Sequence, residues 1–134
     1  MNTRRIIRSL VLFLFIIITV IGVGMTLLMI GQRVVLEETI APIQTSDLED
    51  GIYTGSYNEY RWKSTLKIHV ENGEITQIEI IKDHLIPADI QRTQLFNNIK
   101  SSNQLDEVDV VAGSTVTSIA YLKAVEDALS NPPE

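Results

Sequence analysis

Twenty-one consecutive residues, Leu10 to Ile30 (LVLFLFIIITVIGVGMTLLMI), carry no charge. As a helix rising about 1.5 Å per residue they cover roughly 31 Å, the thickness of a bilayer's hydrocarbon core. A buried core helix is disfavoured, because so small a companion domain offers too little surface to cover such a run. A secretory signal has an apolar core of about 7–15 residues and a small-residue cleavage site. This run is longer, and Gly31-Gln32-Arg33-Val34-Val35 contains no A-x-A pattern. Residues 10–31 therefore read as an uncleaved transmembrane signal anchor behind a short N-terminus, residues 1–9. Arg4, Arg5 and Arg8 precede the run, whereas Arg33 is soon followed by Glu37 and Glu38. This Lys/Arg bias implies a cell-membrane, single-pass protein with its N-terminus cytoplasmic and its C-terminal part extracytoplasmic.

Charge separates the rest of the chain from the anchor. Four of the 11 basic residues precede position 34, and all 17 acidic residues lie from Glu37 onward. The exported part therefore holds seven basic residues against 17 acidic ones, a net −10. A domain this acidic repels nucleic acid, which excludes that class of partner. The chain has no cysteine. Disulfides, thiolate zinc sites and cysteine-ligated iron–sulfur clusters are thereby excluded, as is a lipid anchor on cysteine.

Residues 32–49 read as a connector. Val34, Val35, Leu36 and Ile40 extend the helical pattern, and Pro42 with the polar run Gln44–Asp50 breaks it. Residues 50–130 then form one small domain, followed by a tail at 131–134 that looks disordered. Strands are expected near Ile52–Tyr57, over Arg61–Val70 and over Ile75–Lys82, with Glu71-Asn72-Gly73-Glu74 as a hairpin turn. A plain two-residue Asn-Gly loop sets Ile68 opposite Gln77. A loop with an odd residue count puts Leu66, Ile68, Val70, Ile78 and Ile80 on one face, and this register is preferred because a one-residue slip exposes the apolar set. A helix is expected over Ala88–Ile99, a short strand over Glu107–Val111 and a helix over Thr117–Leu129. The last carries a stripe of Ile119, Leu122, Val125 and Leu129 beside Ala120, Ala124 and Ala128, small enough for close packing. The fold class is α+β: one N-terminal transmembrane helix, then a small domain with a mainly antiparallel sheet and two helices.

The chemically informative segment is Asp109-Val110-Val111-Ala112-Gly113-Ser114-Thr115-Val116-Thr117-Ser118. It leads into a helix, and four hydroxyls lie within five residues beside a glycine. A helix N-terminus presents unpaired N–H groups and partial positive charge, and glycine lets the backbone approach a ligand. The pattern suits a phosphate; it equally suits hydroxyls that serve as N-caps. His69 reads as outward on its strand and His84 as a surface residue before a loop. Glu126-Asp127 reads as a solvated helix face. None of these has a pattern for metal binding or nucleophilic catalysis.

Asp109–Leu129, DVVAGSTVTSIAYLKAVEDAL, resembles the C-terminal signature of FMN-binding domains. These occur in the C subunit of sodium-translocating NADH:quinone reductase and the G subunit of the Rnf complex. Asp109 matches the motif's Asp, Gly113 its Gly, Thr115 its last Thr and Val116-Thr117-Ser118 its tail. Ala112 stands where the family usually has Ser or Thr, and Ser114 where it has Ala. A second block, Asp50-Gly51-Ile52-Tyr53-Thr54-Gly55 with Leu66–Val70 and Asn72-Gly73-Glu74-Ile75, resembles the family's opening strand and hairpin.

The resemblance implies FMN as cofactor, held by Asp109, Ala112, Gly113, Ser114, Thr115, Val116, Thr117 and Ser118. It also implies that a flavin transferase esterifies the phosphate to Thr115. Tyr53, Tyr57, Tyr60, Trp62, Leu85 and Ile86 are candidate seats for the isoalloxazine ring, although ordinary packing is the favoured reading of each taken singly. The expected role is an electron carrier or redox-complex subunit rather than a self-contained enzyme, working between redox partner proteins or quinone. The alternative is a membrane-anchored binding module with noncovalent flavin or none.

Overall fold

The computed structural model describes residues 3–134, and the chain divides into two units at Gly31. The first is helix α1, Thr3–Met29, with no buried residue. Its most apolar stretch has a mean hydropathy of 2.8, long and apolar enough to cross a membrane. Such a helix is either a membrane anchor or a signal sequence.

The second unit runs from Gly31 to Glu134. It comprises α2 (Gln32–Leu36), β1 (Gly51–Glu59), β2 (Trp62–Glu71), β3 (Glu74–Lys82), α3 (Asp89–Ser101) and α4 (Thr115–Leu129), with 3₁₀ turns at Thr45–Asp47 and Leu105–Glu107. The strands form one antiparallel sheet in the order β1-β2-β3. This is the α+β arrangement expected from the sequence.

Period-two patterning builds the sheet. Tyr53 and Tyr57 of β1 and Trp62, Leu66, Ile68 and Val70 of β2 point to one buried face. Helix α4 covers that face along β1 and β2, and α3 lies against β3. Burying each large apolar side chain here stabilises the fold by about 1.5–3 kcal/mol. At Gly55 the packing is closest. A Cβ there would lie 2.1 Å from the Ala128 nitrogen and 2.5 Å from the Ala124 carbonyl oxygen, so backbone meets backbone. The Ala124 and Ala128 positions of α4 make this approach possible, as their spacing implied.

The β2–β3 hairpin reaches the expected face by a different route. Glu71 pairs with Glu74, so the loop has two residues. Asn72 and Gly73 both take positive φ (54° and 75°), as a type I′ turn requires. The one-residue correction comes instead from an irregularity between His69 and Val70. Val70 faces Ile75, but His69 faces Gln77, which leaves Thr76 unpaired as a bulge. Ile68 then sits opposite Ile78 and Leu66 opposite Ile80.

Three other segments differ from expectation. Glu107–Val111 is not a strand. A 3₁₀ turn occupies Leu105–Glu107, and the nearby pairing is a single bridge between Gln44 and Gln104. Its buried residues, Val108 and Val111, are three apart rather than alternating. Residues 32–49 do more than connect: Val35 is fully buried, and Ile40, Ile43 and Leu48 pack against the core. At the C-terminal tail, the Glu134 N–H donates to the Ile52 carbonyl at 2.8 Å, so the chain end lies along the free edge of β1.

Candidate functional site

The loop into α4 is shaped by a turn. The Ser114 N–H donates to the Val111 carbonyl at 3.0 Å, and Gly113, third in that turn, has φ +79°. A left-handed residue at that place favours glycine for its backbone freedom. An added Cβ at Gly113 would meet nothing within 4 Å, so the demand is conformational, not spatial. Ser118, one turn into the helix, is buried and fastens the loop from behind. Its Oγ accepts the Val111 N–H at 3.3 Å, and its N–H donates to the Ser114 carbonyl at 2.8 Å.

Helix α4 thus begins at Thr115, two residues earlier than its periodicity suggests. Ser114 occupies the N-cap position without a side-chain cap bond, and the first turn contains no acidic residue. The N–H groups of Thr115, Val116 and Thr117 precede the first intrahelical partner and remain available. Thr115 is exposed.

Opposite lies the tight turn between β1 and β2, formed by Tyr60 and Arg61 between the paired Glu59 and Trp62. Tyr60 adopts φ +49°, unusual for a residue with a side chain. The Arg61 guanidinium carbon stands 4.3 Å from the centre of the Trp62 ring, a cation–π arrangement. Arg61 Nε is buried with no hydrogen-bond partner, and among the described residues no carboxylate forms an ion pair with Arg61.

Between these two walls is an open cleft of about 480 Å³, lined by Gln32, Leu36, Arg61, Trp62 and Gly113 to Thr117. A smaller cavity of about 160 Å³ shares Arg61, Trp62 and Thr117 with it and adds His84, Ile86, Pro87 and Ala88. No lining residue of either is acidic, although the chain from residue 34 onward carries net −10. The cleft joins a helix dipole to an unpaired cation, and so concentrates positive potential where the rest of the domain is negative.

Of the eight candidate residues, the structure brings five together around the cleft: Gly113, Ser114, Thr115, Val116 and Thr117. Ser118 lies behind the loop as its fastener. Asp109 and Ala112 are exposed and do not line the cleft. The Asp109 carbonyl instead accepts from Asn98 Nδ2 of α3 at 3.1 Å.

Of the candidate ring seats, Trp62 lines both cavities and Ile86 the smaller one. Tyr53 and Tyr57 belong to the core, and so does Trp62, which is 3% exposed. The Tyr53 hydroxyl donates to the Glu49 carbonyl at 2.8 Å. Burial, with Glu38 and Glu59 nearby, pushes Tyr57 up to about 12. Tyr60 and Leu85 are exposed and line a separate apolar depression.

Arg61 has no signature in the sequence, since its role comes from the turn that lays it across from α4. His84 is a correction: it is not a surface residue but 5% exposed. Its ring lies 4.2 Å from that of Tyr121, and the Tyr121 hydroxyl donates to Asp83, which also pairs with Arg92. Burial, the largest cause, pulls the His84 pKa down against the opposing pull of Asp83. The Glu126-Asp127 pair is also more than a solvated face. Glu126 accepts the Ala41 N–H at 3.1 Å and Asp127 the Ser56 N–H at 2.8 Å.

An uncapped helix start and a facing arginine form a cleft whose chemistry suits an anion. The model of the FMN-binding domain family matches residues 60–130, more than half of the chain, and the chain belongs to that family. Membership implies FMN as the ligand. No individually curated protein matches the chain.

Proposed function

We propose that this protein is a membrane-anchored, extracytoplasmic FMN-binding electron carrier whose flavin is esterified to Thr115. The observation that carries this reading is the α4 start: an exposed threonine beside three free N–H groups, faced by the unpaired Arg61. These residues fit a phosphoryl group. Arg61 supplies charge-assisted donors, the helix start supplies dipole and N–H donors, and the cleft lacks carboxylates that would repel an anion. A phosphodiester keeps one negative charge, which this helix end stabilises by about 0.3–1 kcal/mol when exposed and more when partly buried. Trp62, 3% exposed and covered by the Arg61 guanidinium, backs the cleft, and the exposed Ile86 offers the ring apolar contact.

When bound, FMN supplies one- or two-electron chemistry, and the chain positions it and tunes its potential. Attachment requires an activated donor, because esterification by FMN itself would have to expel water. Thr115 Oγ1 would instead take the flavin-side phosphoryl group of a flavin–nucleoside dinucleotide held by a flavin transferase. The Oγ1–P bond forms, the diphosphate P–O bond breaks, a nucleoside monophosphate leaves, and the hydroxyl proton passes to solvent. The arginines Arg4, Arg5 and Arg8 ahead of α1 support an orientation with the domain across the bilayer from the N-terminus. Quinone or a redox partner protein then exchanges electrons with the flavin at the open cleft.

The test is co-expression with a flavin transferase, followed by denaturing electrophoresis. A flavin-fluorescent band that Thr115→Val abolishes is expected. A dark band from yellow native protein would show noncovalent binding, and a dark band from colourless protein would remove the flavin reading.

A further inference from the structure

His84 is the one described side chain that has both polar atoms buried and unpartnered while lining a cavity. Nδ1 and Nε2 each lack a hydrogen-bond partner, and the ring is 5% exposed. Leaving a buried polar group unsatisfied is costly, so such a group calls for an explanation. Its cavity of about 160 Å³ adjoins the phosphate cleft through Arg61, Trp62 and Thr117. The ring is held in place by Tyr121 behind it, and the His84 backbone N–H is fixed by Asp83 Oδ1 at 2.8 Å. Phe96 meets Tyr121 edge-on at 5.5 Å, which keeps that support rigid.

From this geometry we infer that His84 hydrogen-bonds the polar pyrimidine edge of the flavin ring, with the exposed Ile86 as an apolar wall of the ring's seat and Trp62 behind Arg61 as its backing. The inference rests on the FMN reading of the α4 cleft and extends it to the opposite end of the cofactor. The ligand edge alternates carbonyl acceptors with one N–H donor. A neutral imidazole carries one donor and one acceptor, so it matches that edge in either tautomer. Burial favours the neutral form of His84, and the charged groups around it, Asp83 on its own strand end and Arg92 from α3, are already paired with each other. Tyr121 from α4 is likewise committed to Asp83. The Lys63 backbone is the one competing partner, its hydrogen bond opposing the effect of burial, so one His84 nitrogen is left for the ligand edge. His84 acts here as a binding and positioning residue.

The chain contains only two histidines, which makes the test clean. His69 is paired with Glu79 at 3.3 Å on the sheet and serves as the internal reference. Flavin-free full chain, made with ¹⁵N-histidine in a host lacking flavin transferase, is titrated with FMN. Imidazole ¹⁵N and FMN ³¹P signals are then followed together. The expected result is a shift of several ppm at a His84 nitrogen, an unmoved His69, and a phosphorus shift. A phosphorus shift with His84 unmoved would overturn this inference and leave the phosphate site standing. No shift in either nucleus would overturn both. As a second measurement, His84→Phe keeps the aromatic contact with Tyr121 and removes both nitrogens. It is expected to bind FMN at least tenfold more weakly with an altered bound-flavin absorption spectrum. Unchanged affinity and spectrum would contradict the assignment.

Discussion

The domain contains two long helices, and they begin in opposite ways. Helix α3 starts with Asp89, whose carboxylate pairs with Arg92 one turn on at 2.8 Å, and Arg92 also reaches Asp83. Its positive end is answered from within the chain. Helix α4, which like α3 lacks a side-chain cap, starts with no acidic residue, and the nearby cation, Arg61, adds to its positive end instead of balancing it. Leaving a helix end without a neighbouring acid forgoes about 0.3–1 kcal/mol of dipole stabilisation. The contrast teaches where this fold holds a place for an anion from outside.

Removing the charge that sharpens the contrast has the largest expected effect. Arg61→Gln deletes charge-assisted contacts worth about 1.5–3 kcal/mol, so FMN affinity falls roughly tenfold to more than a hundredfold while the thermal unfolding midpoint barely moves. Isothermal titration of the flavin-free chain measures it. Next, Ser114→Asp makes α4 begin as α3 does. Flavin-free protein gains about 0.3–1 kcal/mol in denaturant unfolding, and FMN binding weakens at least tenfold through repulsion of the phosphate.

Gly113→Ala keeps the charges and strains the loop. The left-handed conformation costs about 1–2 kcal/mol, read as a lower urea midpoint with an unchanged slope. The smallest effect belongs to the other helix. Asp89→Ala leaves α3 unbalanced at a cost of about 0.3–1 kcal/mol, with FMN affinity unchanged.

What could be read beforehand follows from where information is local. The α1 run, the alternation in β2 and the small-residue positions of α4 are periodic, so the antiparallel sheet and its covering helix were legible. The cleft residues Gly113 to Thr117 were legible as a loop entering a helix. The hairpin register was right for the apolar face, but its cause was not. The Asn72-Gly73 turn keeps two residues, and the bulge at Thr76, which lets Ile75 and Ile78 share a face, makes the correction. Glu107–Val111 looked like a strand because it is rich in valine, yet Val108 and Val111 are anchors in a loop with no strand beside it. Arg61 and His84 left no local trace. One owes its place to a two-residue turn, the other to burial against Tyr121, and both arise only when distant segments meet.

The most direct measurement compares the two helix starts in one spectrum. Backbone amide NMR of the flavin-free chain is recorded while FMN is added. The account predicts that Gly113, Thr115, Val116 and Thr117 shift, while the amides of Asp89 and Ile90 at the α3 start stay fixed. Stationary signals at residues 113–117 in the presence of saturating FMN would contradict it.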